Sequence, residues 1–276
     1  MMRGMFAAIS GLRNHQVMLD VTANDIANVN TIGYKSARTT FADSLTQIQR
    51  GAAAPGGGQG GSNAAQIGLG VQLGSIDNLM SSGALQTTGS PLDVAIQGDG
   101  FFRVGAGTPP AVPTDVEYTR AGNFTRNQDG YLVTQDGYYV LGKTANDGTG
   151  TDTLILVPPD ASGVSIGKDG SVSYVPGGGG DRVIAGYLSL ATFPNAAGLE
   201  RAASNRWQTS ANSGPETSGT PGGTFGATTA GALEMSNVDL AQAFTNMITA
   251  QRGFQANSRV ISTSDEMLQD LVNLKR

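Results

Sequence analysis

The chain lacks cysteine and carries little charge. It has no Cys and a single His among its 276 residues, and charged residues make up only 14%, against roughly 25% in an ordinary globular domain. Without Cys there are no disulfides, thiolate metal sites or cysteine nucleophiles. One His leaves little room for a catalytic triad or for a metal site built from nitrogen and sulfur ligands. We therefore expect a protein that is not an enzyme and that needs no cofactor and no metal.

Basic charge is scarce as well. The chain has 17 Lys and Arg against 22 Asp and Glu, which gives a net charge of −5. Residues 1–75 hold five basic against three acidic residues, residues 76–235 eight against fifteen, and residues 236–276 four against four. Nucleic-acid binding requires clustered Lys and Arg, and no such stripe is present. We therefore expect no nucleic-acid partner, and we place the acidity in the middle of the chain.

Long hydrophobic runs are missing too. No stretch approaches the ~18 apolar residues of a membrane span. The apolar stretch from Gly4 to Leu12 is broken by Ser10, lacks a convincing cleavage site and continues in the same helical period, which is unlike a signal peptide. The sequence predicts neither a membrane span nor a cleaved signal. The many Gly, Ser, Thr, Asn and Gln residues suit either hydrogen-bonded packing against other chains or extended loops, and composition leaves both open.

The N-terminal segment has the period of a helix. Its apolar residues follow alternating steps of three and four, interrupted by Gln16. They are Met5, Ile9, Leu12, Leu19, Ala23 and Ile26. Asn28, Asn30 and Gly33 are helix-stop signals, so we expect this helix to end near residue 30.

The C-terminal segment predicts a longer helix. Ser236–Asp239 is typical of a capping box, with Met235 and Leu240 placed as a hydrophobic staple. The apolar stripe that follows consists of Leu240, Phe244, Met247, Phe254, Ile261, Leu268 and Val272. A helix of about 36 residues would be roughly 54 Å long.

Both stripes are narrow and half polar, because their alternate positions include Gln16, Gln251, Ser258 and Asp265. Such a pair should be weak alone. An ordinary amphipathic pair that closes a globular domain is one interpretation. The length, the polar positions and the absence of other helices favour an assembly seam between subunits. Its residues would be Met5, Ile9, Leu12, Leu19, Ile26, Leu240, Phe244, Met247, Phe254, Ile261 and Leu268.

The middle of the chain predicts β structure. From Gln66 to about Trp207, short alternating runs are separated by turns, with Asp-Gly pairs at Asp99, Asp129, Asp136, Asp147 and Asp169. Residues 51–63 are rich in Gly and cannot pack a core. The joint residues in this stretch would be Gly56, Gly57, Gly58, Gly60 and Gly61. We predict an α+β fold with a coiled-coil-like helical pair (1–33 and 236–276), a joint (34–74) and a mainly antiparallel β domain (75–235).

Candidate chemistry is sparse. His15 lies inside the first helix beside Gln16, where packing is a better explanation than catalysis. Gly56, Gly58 and Gly61 match the spacing of a dinucleotide loop, but no strand precedes them and no helix follows. Trp207 is expected to cap the β core.

Motifs along most of the chain resemble the flagellar rod, hook and axial protein family. At the N-terminus they are Ser10–Leu12, Ala23–Thr31 and Gly33–Lys35, with Asp25 where the family usually has a second Asn. At the C-terminus they are Ser236–Asp239, Met247–Ile248, Gln251–Phe254 and Asn257. Between them, Leu92–Phe102 and Tyr118–Thr125 resemble the family's first β domain. Three separate motifs in the expected order make the resemblance specific.

Within the family, four segments look more like hook protein than distal rod protein: Lys35–Ser36, Phe41–Asp43, Gly231–Glu234 and Leu271–Leu274. The length points the other way, since many hook proteins carry an additional outer domain. The resemblance implies a hook subunit that polymerises into a curved, bendable tube and transmits torque from rod to filament. Distal rod protein of the basal body is the alternative.

The resemblance also implies location and partners. The subunit would pass through the flagellar (type III) export apparatus without a cleaved signal and assemble outside the cell. Its partners would be further copies of itself, the rod and hook–filament junction proteins, the hook cap and the export apparatus.

Two hypotheses from other classes stay open at this point. One is a cell-surface adhesin, in which the β domain binds a ligand and the helices form a stalk. The other is a secreted β-solenoid enzyme, which would need a convergent acid pair and a fixed internal repeat.

Overall fold

The chain is described by a computed structural model that covers residues 2–55, 60–146 and 150–274. It forms two compact units. The helical unit comprises Met1–Ala27, Ala37–Asp77 and Asp239–Arg276, and the β unit comprises Asn28–Ser36 and Asn78–Val238. The predicted α+β fold, with a helix at each end and a large antiparallel β domain between them, is confirmed.

Helix α1 spans Met2–Ala27 and turns over its next three residues. Gly33 then adopts a φ of +68°. A Cβ at this position would lie 2.7 Å from the backbone nitrogen of Ala121, so both the conformation and the close approach require glycine. The predicted helix end near residue 30 is close to the observed one.

Helix α2 spans Leu240–Asn273, and Asp239 is its N-cap. The Asp239 carboxylate accepts hydrogen bonds from the backbone amides of Ala241 at 2.8 Å and Gln242 at 3.2 Å. The capping box predicted at Ser236 is wrong: its hydroxyl accepts from the amide of Val238, before the helix. Asp239 directly precedes the first helical residue, and its carboxylate reaches two amides that lack partners within the helix.

Four strands lie in the helical unit: β1 (Ala37–Asp43), β2 (Thr46–Arg50), β3 (Ala65–Gly68) and β4 (Val71–Asn78). Strand β1 pairs with β4, and β2 pairs antiparallel with β3 in the register Thr46↔Gly68. A bridge between Ala53 and Ser62 extends the β2–β3 ribbon towards the Gly-rich stretch. Most of the range predicted as a joint is therefore paired backbone.

The β unit contains seventeen strands among its described residues. They are β5 (Leu85–Thr87), β6 (Val94–Gln97), β7 (Phe101–Gly105), β8 (Val116–Thr119), β9 (Thr125–Arg126), β10 (Leu132–Val133), β11 (Tyr139–Lys143), β12 (Asp152–Leu154), β13 (Ser162–Ile166), β14 (Ser171–Val175), β15 (Val183–Leu188), β16 (Leu190–Thr192), β17 (Glu200–Arg201), β18 (Arg206–Gln208), β19 (Thr217–Gly219), β20 (Ala227–Ala230) and β21 (Ala232–Glu234).

Thirteen of these strands form one sheet, whose main path runs β13-β14-β15-β11-β7-β8-β18-β17. Two small sheets, β20-β6 and β21-β5, bring the end of the β unit back to its beginning. The pairings between these strands are antiparallel.

Three of the five predicted Asp-Gly hairpin turns connect strands that pair with each other. Asp129, Asp136 and Asp169 lie in the connections β9–β10, β10–β11 and β13–β14, whose strands pair with each other. Asp99 lies between β6 and β7, which do not pair in the described sheets, since β6 pairs with β20. Asp147 is outside the described residues.

Two apolar clusters form the core of the β unit. The larger one is built by strand residues such as Phe102, Val140 and Leu188. The smaller one contains Trp207, which is only 3% exposed, together with Tyr118. Trp207 closes this second cluster, in agreement with its expected place at the β core.

Candidate functional site

Helices α1 and α2 pack against each other, and small residues lie between them. The fully buried positions on α1 include Ala8 and Gly11, and those on α2 are Ala243, Ala250 and Ser264. On α2 these positions are spaced by seven or fourteen residues, with Asn257 between Ala250 and Ser264. Small side chains let helix backbones approach closely.

Two glycines show how close the approach is. A Cβ at Gly11 would lie 2.7 Å from Nδ2 of Asn257, and one at Gly253 would lie 2.5 Å from the His15 ring. The His15 ring also meets Phe41 edge-on, with 5.9 Å between ring centroids. His15 is thus a packing residue between α1, α2 and β1, as the sequence suggested.

The predicted seam residues flank these buried positions. Nine of them are partly exposed: Met5, Ile9, Leu12, Leu19, Ile26, Met247, Phe254, Ile261 and Leu268. Leu240 and Phe244 are more open, at 41% and 50% exposure. The apolar stripe therefore reaches solvent at its edges, and its use in assembly stays a prediction.

Further large apolar side chains on the helices are exposed. They are Met2, Phe6, Ile248, Val260, Met267, Leu271, Val272 and Leu274. Where exposed apolar side chains form a continuous patch, the patch typically marks an interaction surface. Except for Val272, these residues lie outside the single apolar stripe that the sequence pattern predicts for each helix.

The ribbon β2–β3 also exposes apolar side chains, among them Leu45, Ile48 and Ile67. Of the predicted joint residues, Gly56, Gly57 and Gly58 lie outside the described residues. Gly60 has open space around its Cα, whereas a Cβ at Gly61 would lie 2.9 Å from the carbonyl oxygen of Ala53. The role of this segment as a joint stays a prediction.

A buried charge cluster lies in the β unit. The Glu234 side chain is fully buried and accepts from Nζ of Lys35 at 2.6 Å, from Nη1 of Arg120 at 3.1 Å and from the amide of Gly83 at 2.9 Å. Burial lowers the pKa of Lys35, although its hydrogen bond to Glu234 and the charge of Glu234 act against this. No local sequence pattern marks this cluster, because its members are far apart in the chain.

Two further ion-pair networks involve buried arginines. Arg103 pairs with Asp152 at 2.8 Å and Glu216 at 3.0 Å. The hydroxyl of Tyr118 donates to Glu216 at 2.6 Å, and burial, followed by this bond, raises the pKa of Tyr118. Burial by itself would lower the pKa of Arg103. The hydrogen bond to Asp152 and the charges of Asp152 and Glu216 outweigh it, so the pKa is raised.

Arg206 pairs with Glu117 and with Asp136. Glu117 is therefore a structural ion-pair partner. Among residues 2–55, 60–146 and 150–274 there is no group of three or more His, Asp and Glu placed to hold a metal ion. None of the described helices is long and apolar enough to cross a membrane.

Three family profiles match the chain in order. The profile described as "flagella basal body rod protein" matches residues 5–35, "flagellar hook protein FlgE/F/G D1 domain" matches residues 95–174, and "flagellar basal body rod FlgEFG protein C-terminal" matches residues 229–274. The first and third profiles cover α1 and α2, and the second lies within the β unit.

Individual relatives align over almost their full lengths. The flagellar basal-body rod protein FlgG of Bacillus subtilis is 49% identical over 278 residues, covering 100% of both chains. FlgG of Agrobacterium fabrum is 39% identical, covering 96% of this chain and 97% of its own. The flagellar hook protein FlgE of Borreliella burgdorferi is 26% identical in an alignment of 447 residues that covers both chains fully.

Proposed function

Because the chain belongs to the family of flagellar basal-body rod and hook proteins, we propose that it is a structural subunit of the distal rod of a bacterial flagellum. The observation that carries the proposal is the end-to-end alignment with a rod protein at 49% identity. Membership of a family of rod and hook proteins favours this proposal over the adhesin and enzyme hypotheses.

The hook assignment favoured from the sequence is the weaker of the two. The rod relative aligns over 278 residues, about the length of this chain, whereas alignment with the hook relative extends to 447. The hook relative therefore carries large segments without a counterpart here. The four segments that looked hook-like do not outweigh this, and hook protein becomes the second candidate.

Self-assembly would use the apolar surface that the helices leave open. Leu240, Phe244 and Ile248 each expose at least 41% of their surface, and a neighbouring copy would bury them. Burial stabilises by roughly 25 cal/mol per Å² of apolar surface. A head-to-tail contact that repeats without closing generates a helical tube, which is the form a rod or hook requires.

The same proposal includes location and partners. The subunit would be exported through the flagellar export apparatus without a cleaved signal and would assemble outside the cytoplasmic membrane. It would contact copies of itself and adjoining rod, hook and junction proteins. Its role would be to transmit torque mechanically, not to catalyse a reaction.

Complementation tests the assignment. We would express the chain, with an epitope tag in the exposed turn at Gln128–Asp129, in Bacillus subtilis that lacks its own FlgG. We expect restored swimming, with antibody label on the rod of purified basal bodies. The matched control is a strain that lacks its hook subunit, which should stay non-motile. Label along the hook, or rescue of the hookless strain, would contradict the rod assignment.

A further inference from the structure

The backbone passes between the helical unit and the β unit four times, at residues 27–28, 36–37, 77–78 and 238–239. On the β-unit side, the last three crossings lead into three short segments: 33–36, 78–84 and 232–238. These segments are distant in sequence, but polar side chains and backbone bonds join all three. We call them the first, second and third segments.

Asn237, in the third segment, contacts both of the others. Its Oδ1 accepts from the amide of Ser36 at 2.7 Å. Its Nδ2 donates to the carbonyl oxygen of Leu79 at 2.8 Å and to that of Ser81 at 3.1 Å. One amide side chain thus uses both its donor and its acceptor atoms to connect three crossings.

Glu234 repeats this arrangement in the interior. Its Oε1 accepts from Lys35 of the first segment and from the amide of Gly83 of the second. Lys35 in turn donates to the carbonyl oxygen of Ser81 at 2.8 Å. A Cβ at Gly83 would collide with the carbonyl oxygen of Met235, so the second and third segments touch through their backbones.

The contact between the three segments depends on the negative charge of Glu234. Lys35 and Arg120 expose 0% and 2% of their side chains. Besides Glu234, Lys35 and Arg120 donate to the neutral carbonyl oxygens of Ser81 and Gly98, respectively. Without the carboxylate, two buried cations would face each other uncompensated, and this costs far more than one neutral hydrogen bond.

We propose that Glu234 and Asn237 form a bracket that makes the three segments open and close as one body. A disturbance at any one crossing is then transmitted to the other two. Each pair of segments is also joined by a backbone bond: Leu79 donates to Ser36, Met235 donates to Ala84, and Gly33 donates to Glu234. These three amides report separately on the three pairs.

Hydrogen exchange on the full-length chain, resolved by residue with NMR, tests the bracket. In Glu234→Gln we expect the amides of Leu79, Met235 and Gly33 to exchange faster by one common factor of at least about 100, as for a broken buried ion pair. The core amides of Leu132 and Ser189, which donate to Ile155 and Leu141, should stay slower to exchange than the three reporters in wild type and in the variant, because they exchange only when the whole β unit unfolds.

Glu216→Gln is the matched control. Glu216 also accepts from an arginine and a second donor, but its partners are Arg103 and Tyr118, outside the bracket. It should leave the three reporter amides unchanged. The bracket is refuted if only one or two reporters accelerate in Glu234→Gln, if their factors differ widely, or if the reporters exchange no faster than the core amides.

A milder variant keeps the test decisive if Glu234→Gln does not fold. Asn237→Ala removes neutral hydrogen bonds only, so we expect a common acceleration of about 10-fold. Asn237 makes no side-chain bond to Ala84 or Gly33, so acceleration at Met235 and Gly33 would be transmitted through the bracket. Acceleration confined to Leu79 would overturn the proposal.

Discussion

Asn257 of α2 lies directly against Gly11 of α1, with its Nδ2 only 2.7 Å from where a Cβ of residue 11 would stand. Asn257 belongs to the series of small or short residues on α2 that includes Ala250 and Ser264. At this point the fit between the two helices depends on a missing side chain on one helix and a short amide on the other.

Gly11→Ala should weaken the helix pair despite the better helix propensity of alanine. The added methyl group overlaps Asn257, and overpacking costs roughly 1–3 kcal/mol, more than the ~1 kcal/mol gained from propensity. The double variant Gly11→Ala with Asn257→Ala should recover this loss. The measurement is guanidinium unfolding followed by helical circular dichroism.

Gly4→Ala is the control for the Gly11→Ala variants, because a Cβ at Gly4 would meet nothing within 4 Å. It should stabilise α1 by up to ~1 kcal/mol through propensity alone. If Gly11→Ala stabilised the chain as much as Gly4→Ala does, the close contact with Asn257 would be refuted.

Phe244→Asp should abolish polymerisation while the chain stays folded. Phe244 is 50% exposed, so a carboxylate there remains solvated in the monomer but would be buried against a neighbour, which is costly. Sedimentation and electron microscopy under assembly conditions would measure tube formation. Leu19→Asp and Phe254→Asp should block assembly too, but these side chains are half-buried, so lost folding could cause the same result.

Gln255→Asp is the matched control, since Gln255 is an exposed polar residue of the same helix. It adds the same charge without removing an apolar contact, and we expect it to form tubes. Tubes from Phe244→Asp would rule out this edge of α2 as an assembly contact.

The terminal helices could be predicted from sequence because each carries a periodic signal of its own. Their contact surface could not, since an apolar stripe does not reveal that small residues such as Gly11 and Ala250 are the ones that become buried. The capping-box pattern Ser-x-x-Asp begins at Ser236, three residues before the true N-cap Asp239, and it therefore predicted the wrong N-cap. Strands β2 and β3 were not predicted, because the Gly-rich residues between them dominate the composition of the segment.

The buried charges were beyond sequence analysis for a different reason. Lys35 and Glu234 are 199 residues apart, and nothing local marks either one as buried. Their pairing follows from β20 and β21 returning to β6 and β5, and strand register of this kind depends on non-local contacts. Family resemblance identified the protein class, but it did not identify this cluster.

Lys35→Met should cost much less stability than Glu234→Gln. The cluster holds two cations and one carboxylate, so removing Lys35 leaves the balanced pair of Glu234 and Arg120, whereas removing the carboxylate charge leaves two cations. We expect a loss of about 3–5 kcal/mol for Glu234→Gln and under about 2 kcal/mol for Lys35→Met. Urea unfolding at pH 7, followed by Trp207 fluorescence, measures both.

The pH dependence of Lys35→Met provides a second check. The pKa of Lys35 is lower in the folded chain than its ordinary value of 10.5. Between these two values the unfolded state binds more protons, so this group makes the free energy of unfolding rise with pH. The advantage of wild type over Lys35→Met should therefore increase as pH rises through the lowered pKa towards 10.5. A difference that is constant with pH would show that Lys35 titrates normally.

Tyr118→Phe should change stability in alkaline solution in the opposite direction. The folded pKa of Tyr118 is raised above its ordinary value of 10.0, so its contribution to stability is fully present below pH 10 and is lost as pH rises towards the folded pKa. At pH 7 the variant should lose about 1 kcal/mol with the bond to Glu216. Above pH 10 its free energy of unfolding should fall less steeply than that of wild type.

Absorbance at the tyrosinate band makes this prediction specific. Tyr118 is 3% exposed and its hydroxyl is bound to Glu216, so in wild type it should ionise only when the β unit unfolds. The variant should therefore lose the part of the absorbance change that coincides with unfolding and keep the part that precedes it. Equal slopes in wild type and Tyr118→Phe would mean that the buried hydroxyl does not control alkaline stability.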